Sequence, residues 1–91
     1  MNKLLWTRRS LKDLENIYYY IAQDSQPVAK DVIAGIKKLS ENLSYQPFMG
    51  RQGRKEATRE LIIFKTPFIV VYRVQQDTVE VIRILHSSQQ Y

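Results

Sequence analysis

Pro67-Phe68-Ile69-Val70-Val71-Tyr72-Arg73-Val74 is the stretch on which the fold turns. Successive side chains of a strand point to opposite faces, so the run Phe68-Ile69-Val70-Val71 is apolar on both. Such a strand belongs in the middle of a sheet. Two short polar breaks, Lys65-Thr66-Pro67 and Gln75-Gln76-Asp77, separate it from β-rich runs at Arg59 to Phe64 and Val79 to Leu85. Breaks this short join neighbouring strands antiparallel.

Working back from that sheet, Val28, Val32, Ile36, Leu39 and Leu43 recur every three or four residues, as do Leu11, Leu14, Ile17, Tyr18 and Ile21. Both patterns predict amphipathic helices. Thr7 or Ser10 is placed to cap the first and Ser25 the second, with Pro27 in a first turn that does not need its missing N–H. Gly35 costs the second helix about 1 kcal/mol relative to alanine, so close packing between the helices is expected there. The short break Asp24-Ser25-Gln26-Pro27 makes the pair an antiparallel hairpin. Lys3 to Thr7 reads as a short first strand, and Ser44 to Gly53 as a loop.

The expected fold class is α+β: an N-terminal antiparallel helical hairpin packed on one face of a small twisted, mainly antiparallel β-sheet, in one domain over residues 1–91. So short a chain has little material for the sheet's other face. That face is left for the tail, the loop or a partner, and an open apolar face marks a protein-binding surface. Tyr91 is a candidate to dock there. Tyr18, Tyr19 and Tyr20 fan over about 200° of a helix, so one or two complete the core and the third lies outside it.

Composition excludes several chemistries. With no cysteine there is neither a disulfide nor a thiolate zinc site, nor a thiol nucleophile. The single histidine, His86, rules out any site needing two imidazoles, and no metal or cofactor is expected. No apolar run approaches the roughly 18–20 residues that span a bilayer, so no membrane partner is expected and the cytoplasm is the expected compartment. The chain is basic, with 14 Lys and Arg against 9 Asp and Glu, a net charge of +5. Arg51, Arg54, Lys55, Arg59 and Lys65 cluster beside only Glu56 and Glu60, which raises the affinity for phosphates or acidic protein.

Within this region, Gly50-Arg51-Gln52-Gly53-Arg54 lacks the Gly-Lys-Ser/Thr ending of a phosphate-binding loop and reads as a basic hairpin or loop, its glycines permitting a tight turn and its arginines facing solvent. Arg59, Arg73 and Arg83 interrupt apolar strands and must reach water, pair with an acid such as Glu60 or Glu80, or serve a site. A structural ion pair is expected for Arg73. Strict alternation puts Arg83 on the face of Val81 and Leu85, opposite Ile82, Ile84 and His86. His86 closes the last strand, where a histidine near arginines can move a proton in RNA cleavage or simply end the strand.

In order and spacing, Trp6-Thr7, Asp13-Leu14-x-x-Ile17-x-x-Tyr20-Ile21, Pro47, Gly50-Arg51-x-Gly53-Arg54, Thr58-Arg59-Glu60-Leu61, Pro67 to Val74 and Val81-Ile82-Arg83-Ile84-Leu85-His86 resemble the RelE/ParE superfamily of bacterial type II toxin–antitoxin toxins along essentially the whole chain. The resemblance implies a growth-arresting toxin with a cognate antitoxin. ParE-like members poison DNA gyrase and need no nuclease site; RelE-like members are mRNA interferases that act on the ribosome with its mRNA. Ile69 stands where a RelE-like nuclease arginine is expected, and Ser87, Ser88 and Gln89 replace basic residues after the last strand. The ParE-like reading is therefore favoured. Under it Arg51, Arg54, Lys55, Arg59 and Arg83 are the candidate target-binding residues; under the nuclease alternative Arg59, Arg83 and His86 are catalytic, with Arg54 in support.

Overall fold

A computed structural model describes residues 1–89; Tyr91, expected to dock on the sheet, lies outside them. The chain runs β1 (Lys3–Trp6), α1 (Arg8–Ala22), α2 (Gln26–Glu41), a 3₁₀ turn (Asn42–Ser44), β2 (Arg51–Gln52), β3 (Arg59–Ile62), β4 (Phe68–Gln75) and β5 (Thr78–His86). Thr7 caps α1: its Oγ1 accepts from the Ser10 N–H at 3.1 Å and donates to the Ile82 carbonyl at 3.0 Å, tying the helix start to β5. Ser25 caps α2, where Val28 N–H donates to its Oγ at 3.3 Å and Pro27 lies in the first turn. Neither helix is long and apolar enough to cross a membrane.

The sheet has the order β1-β5-β4-β3-β2. The last four strands in sequence pair antiparallel, whereas β1 lies parallel to β5, with Lys3 opposite Thr78 and Trp6 opposite Val81. A parallel neighbour needs a long crossover, and the helical hairpin lies within it. Leu14 and Ile36 pack with Leu43 against Leu61, Val70, Tyr72, Val79, Val81 and Ile84. β4 is central, as its two-sided apolar run requires.

Four expectations are corrected. A β-bulge between β4 and β5 sets Val81 opposite Tyr72 but Arg83 opposite Val71. Two residues of β5 there oppose one of β4, so alternation fails at Ile82. Val81 joins Ile84 in the core under the helices, while Arg83 stays on the face of Leu85, as expected, and is parted from Val81. Second, that face is closed at its centre: Ile69, Val71 and Leu85 are buried together, and only margins such as Ile62 and Leu5 are exposed. Third, a Cβ on Gly35 would meet nothing within 4 Å, so this glycine marks no close helix packing. Fourth, Tyr19 and Tyr20 are both exposed and only Tyr18 is half-buried, so α1 places more aromatic surface outside than expected.

Candidate functional site

The basic loop folds back as a short hairpin. β2 pairs with β3 through Arg51 opposite Glu60 and Gln52 opposite Arg59. Neighbouring residues of a strand face opposite ways, so this register sends Arg59 to the helix side and Glu60 to the other. Glu60 is 2 % exposed and accepts from Arg51 Nη2 at 2.9 Å, Arg54 Nε at 3.0 Å and the Arg54 backbone N–H at 3.3 Å. Burial alone would push its carboxyl up; the bonds from Arg54 and Arg51 outweigh that and hold it below the usual carboxylate range. The arginines expected to face solvent thus grip a buried acid. Arg54 Nη1 also donates to the Gln89 carbonyl at 3.3 Å, tying the tail to the loop.

On the helix side, Arg59 Nη1 donates to the Gly50 carbonyl at 2.8 Å, and its guanidinium lies 4.9 Å from the centre of the Phe48 ring. Tyr72, fully buried, donates from its hydroxyl to the Pro47 carbonyl at 2.8 Å and accepts from the Gly50 N–H at 2.9 Å. Burial pushes the Tyr72 phenol up, against the opposing effects of the Gly50 N–H and the Arg59 charge. The loop from Pro47 to Gly50 is therefore held rigid. A Cβ on Gly50 would come within 2.8 Å of the Glu60 carbonyl, and one on Gly53 would overlap Thr58. Both glycines have ordinary negative φ, so close approach, rather than a tight turn, requires them.

A second carboxylate organises the other end of the sheet. Asp13 Oδ2 accepts from Arg83 Nε at 2.8 Å and from the Ile84 backbone N–H at 2.9 Å, while Arg9 lies 3.5 Å from Oδ1. A cleft of about 500 Å³ opens beside it between α1 and the ends of β4 and β5. Ile17, Phe68 and Ile84 supply its apolar lining, Arg9, Arg83 and His86 its basic groups, and Asn16, Tyr20 and Gln89 the rest. The His86 ring stands edge-on to Phe68 at 5.9 Å. Its Nδ1 accepts from the Ser88 N–H at 3.1 Å, which leaves the proton of the neutral ring on Nε2.

The structure thus divides the candidate residues among three places. Arg51 and Arg54 grip Glu60, and Lys55 lies exposed in the turn that follows. Arg59 is on the opposite side of the sheet, while Arg83 and His86 share the cleft. Arg73 forms its expected ion pair, with Glu80 at 2.6 Å. Sequence reasoning gave no site role to Asp13, Arg9 or Tyr20. The available signal was Asp13 itself, an acid in helical register with Ile17 and four residues after Arg9.

Residues 4–91 match the family described as the ParE toxin of the type II toxin–antitoxin system parDE. Over 89 residues the chain is 37% identical to a putative toxin, Y4kP, of Sinorhizobium fredii, covering 98% of this chain and 92% of that one. It is 32% identical to Toxin RelE2 of Caulobacter vibrioides, covering 97% and 98%. A chain of the chromosomal ParDE system of P. aeruginosa superposes with a TM-score of 0.84 at 26% identity, covering 94% of this chain and 96% of that one.

Proposed function

We propose a mode of action from one premise: the chain belongs to the ParE toxin family of type II toxin–antitoxin systems, within the RelE/ParE superfamily, and is a toxin with a cognate antitoxin. It arrests growth by binding DNA gyrase on DNA and blocking its cycle, without bond-making chemistry of its own. The observation that carries this reading is the internal commitment of the groups that RNA cleavage would need. Cleavage requires a base to take the 2′-hydroxyl proton. The lone pair of His86 Nδ1 instead accepts the Ser88 N–H, and Arg83 is spent on Asp13. Arg59 holds the Gly50 carbonyl.

Binding makes different demands. Arg51 and Arg54 keep about half their side-chain surface open while Glu60 fixes their positions. Pre-set guanidiniums lose little freedom on meeting a phosphate or carboxylate. Together with Lys55 they form the target-contacting edge, and Arg59 and Arg83 keep the loop and cleft in shape.

The nuclease alternative has one observation in its favour: Arg83 and His86 line the same cleft as Arg9. Two assays separate the readings. Purified protein with gyrase and supercoiled DNA is expected to inhibit supercoiling or accumulate cleaved DNA, and to leave mRNA intact in a cell-free translation reaction. Codon-aligned mRNA cuts that vanish in His86→Ala would overturn the gyrase reading and establish the ribosome as target.

A further inference from the structure

Each strand from β2 to β5 carries one arginine, and three of the four pair with an acid: Arg51 with Glu60, Arg73 with Glu80 and Arg83 with Asp13. Among the described residues, Arg59 has no carboxylate partner. Its Nη1 serves the carbonyls of Gly50 and Phe48, while its Nε and Nη2 donate to no described protein group. An unbalanced charge with free donors is thus held in place by its own loop. Beside it lies a cavity of about 220 Å³, lined by Phe48, Gln52, Ala57, Thr58, Arg59 and Val74. Its walls are fixed before anything enters. Tyr72 and Arg59 hold the loop from Pro47 to Gly50, the Gly53 N–H donates to the Thr58 carbonyl at 2.8 Å, and Thr58 Oγ1 donates to the Lys55 carbonyl at 2.6 Å. The Arg59 guanidinium covers one face of the Phe48 ring, yet Phe48 is 65% exposed, so the ring's other face is open.

We propose that this cavity seats an unpaired DNA base, which stacks on the open face of Phe48 while Arg59 takes the adjoining phosphate. The chemistry selects this class. An aromatic face offers a base its stacking surface, and a fork of free N–H groups attracts an anion. A nucleotide unit carries both at a fixed spacing. An acidic side chain would leave Phe48 uncovered, and an aromatic one would leave Arg59 unpaired. The exposed Gln52 amide adds a donor and an acceptor for the base edge. Size narrows the choice: the cavity is smaller than the roughly 300–1,000 Å³ that whole ligands occupy, so it suits one ring system. Bases inside a duplex are stacked on both faces, so the occupant comes from single-stranded or opened DNA. The choice of DNA over RNA rests on the gyrase reading; the stacking site rests on these residues alone.

The test is fluorescence anisotropy of the full chain with a labelled single-stranded oligothymidylate, its abasic counterpart of equal length and the matching oligouridylate. Phe48→Leu keeps an apolar side chain and removes the ring, and thermal melts check that each variant folds. Wild type should bind the abasic strand about tenfold more weakly than the normal one. Phe48→Leu should lose about tenfold on the normal strand and nothing further on the abasic one. Phe64→Leu removes another exposed ring beside a cation, Lys65, outside this cavity, and should change affinity less than about twofold. Arg59→Gln should lower the salt dependence by about one phosphate contact, which Phe48→Leu should leave unchanged. Equal affinity for normal and abasic strands, or full affinity in Phe48→Leu, would overturn the proposal. Tighter binding of the oligouridylate would overturn the assignment to DNA. A failed gyrase assay with base-dependent binding intact would sink the target reading and leave the stacking site standing. Gyrase inhibition without base-dependent binding would do the reverse.

Discussion

Two buried carboxylates, each gripped by two arginines, organise opposite parts of this protein, and they differ in reach. Glu60 draws its partners from Arg51 and Arg54, nine and six residues away. Asp13 draws Arg83 and the Ile84 N–H from the far end of the chain, 70 and 71 residues away. The first grip shapes a loop; the second fastens a helix to a strand. Exposure differs as well: Arg51 and Arg54 keep 56% and 44% of their side-chain surface, whereas Arg83 keeps 21%. A local clasp is free to present its cations outward. A long-range junction buries the cation it draws from across the chain, while the local partner Arg9 stays 64% exposed, and the groove it leaves is lined by both elements.

The largest expected effect tests that contrast at the junction. Asp13→Ala leaves Arg83 and the Ile84 N–H without their acceptor at the helix–sheet seam, and should cost about 3 kcal/mol in urea unfolding. Glu60→Ala should cost less, about 2 kcal/mol, because Arg51 and Arg54 rehydrate where they stand. If Glu60→Ala proved the more damaging, the distinction between clasp and junction would be wrong.

Acid sharpens the same comparison. The folded Glu60 carboxyl is held below its unfolded pKa, so its stabilisation is fully present above that unfolded value of about 4.3. It is lost as pH falls through the folded value. Wild type and Glu60→Gln should therefore keep their full difference above about pH 4.3 and converge in stability as pH falls below it and through the folded value. A gap that widened on acidification would contradict the arrangement.

Smaller effects follow from the loop and the helix. Tyr72→Phe removes the hydroxyl that satisfies both Pro47 and Gly50, and should cost roughly 1–2 kcal/mol while loosening amide exchange near Gly50. Gly35→Ala should raise stability by about 0.5–1 kcal/mol, since an added methyl meets open space in a helix interior. A thermal melt reads the gain directly.

Much of the architecture was legible because its causes are local. The caps at Thr7 and Ser25, the two helical stripes and the three strand runs each announce themselves within a few residues. The two-sided apolar run of β4 placed it centrally without reference to anything else. Arg73 found Glu80 across the short break at Gln76-Asp77, where hairpin pairing sets the two opposite each other. The candidate site was less legible. Arg51, Arg54, Lys55 and Arg59 are close in sequence and look like one basic patch, yet strand alternation sends Arg59 to the opposite face from Glu60. Asp13 stood in the family signature without an assigned partner.

By itself, the sequence determined the class of the protein: an α+β toxin chain, basic, without thiol or two-histidine chemistry, built as helices over an antiparallel sheet. Periodicity, caps and composition act over a turn of helix or a pair of strands, and they need no distant contact to be read. The tertiary structure alone decided which charges remain available. One extra residue at Ile82 sets Arg83 and Val81 on opposite faces, and the parallel docking of β1 on β5 brings α1, with Asp13, to the bulge. Pairings across 70 residues depend on register and crossover, which no local pattern specifies, and they determine which arginines are spent on the fold and which are left to meet a partner.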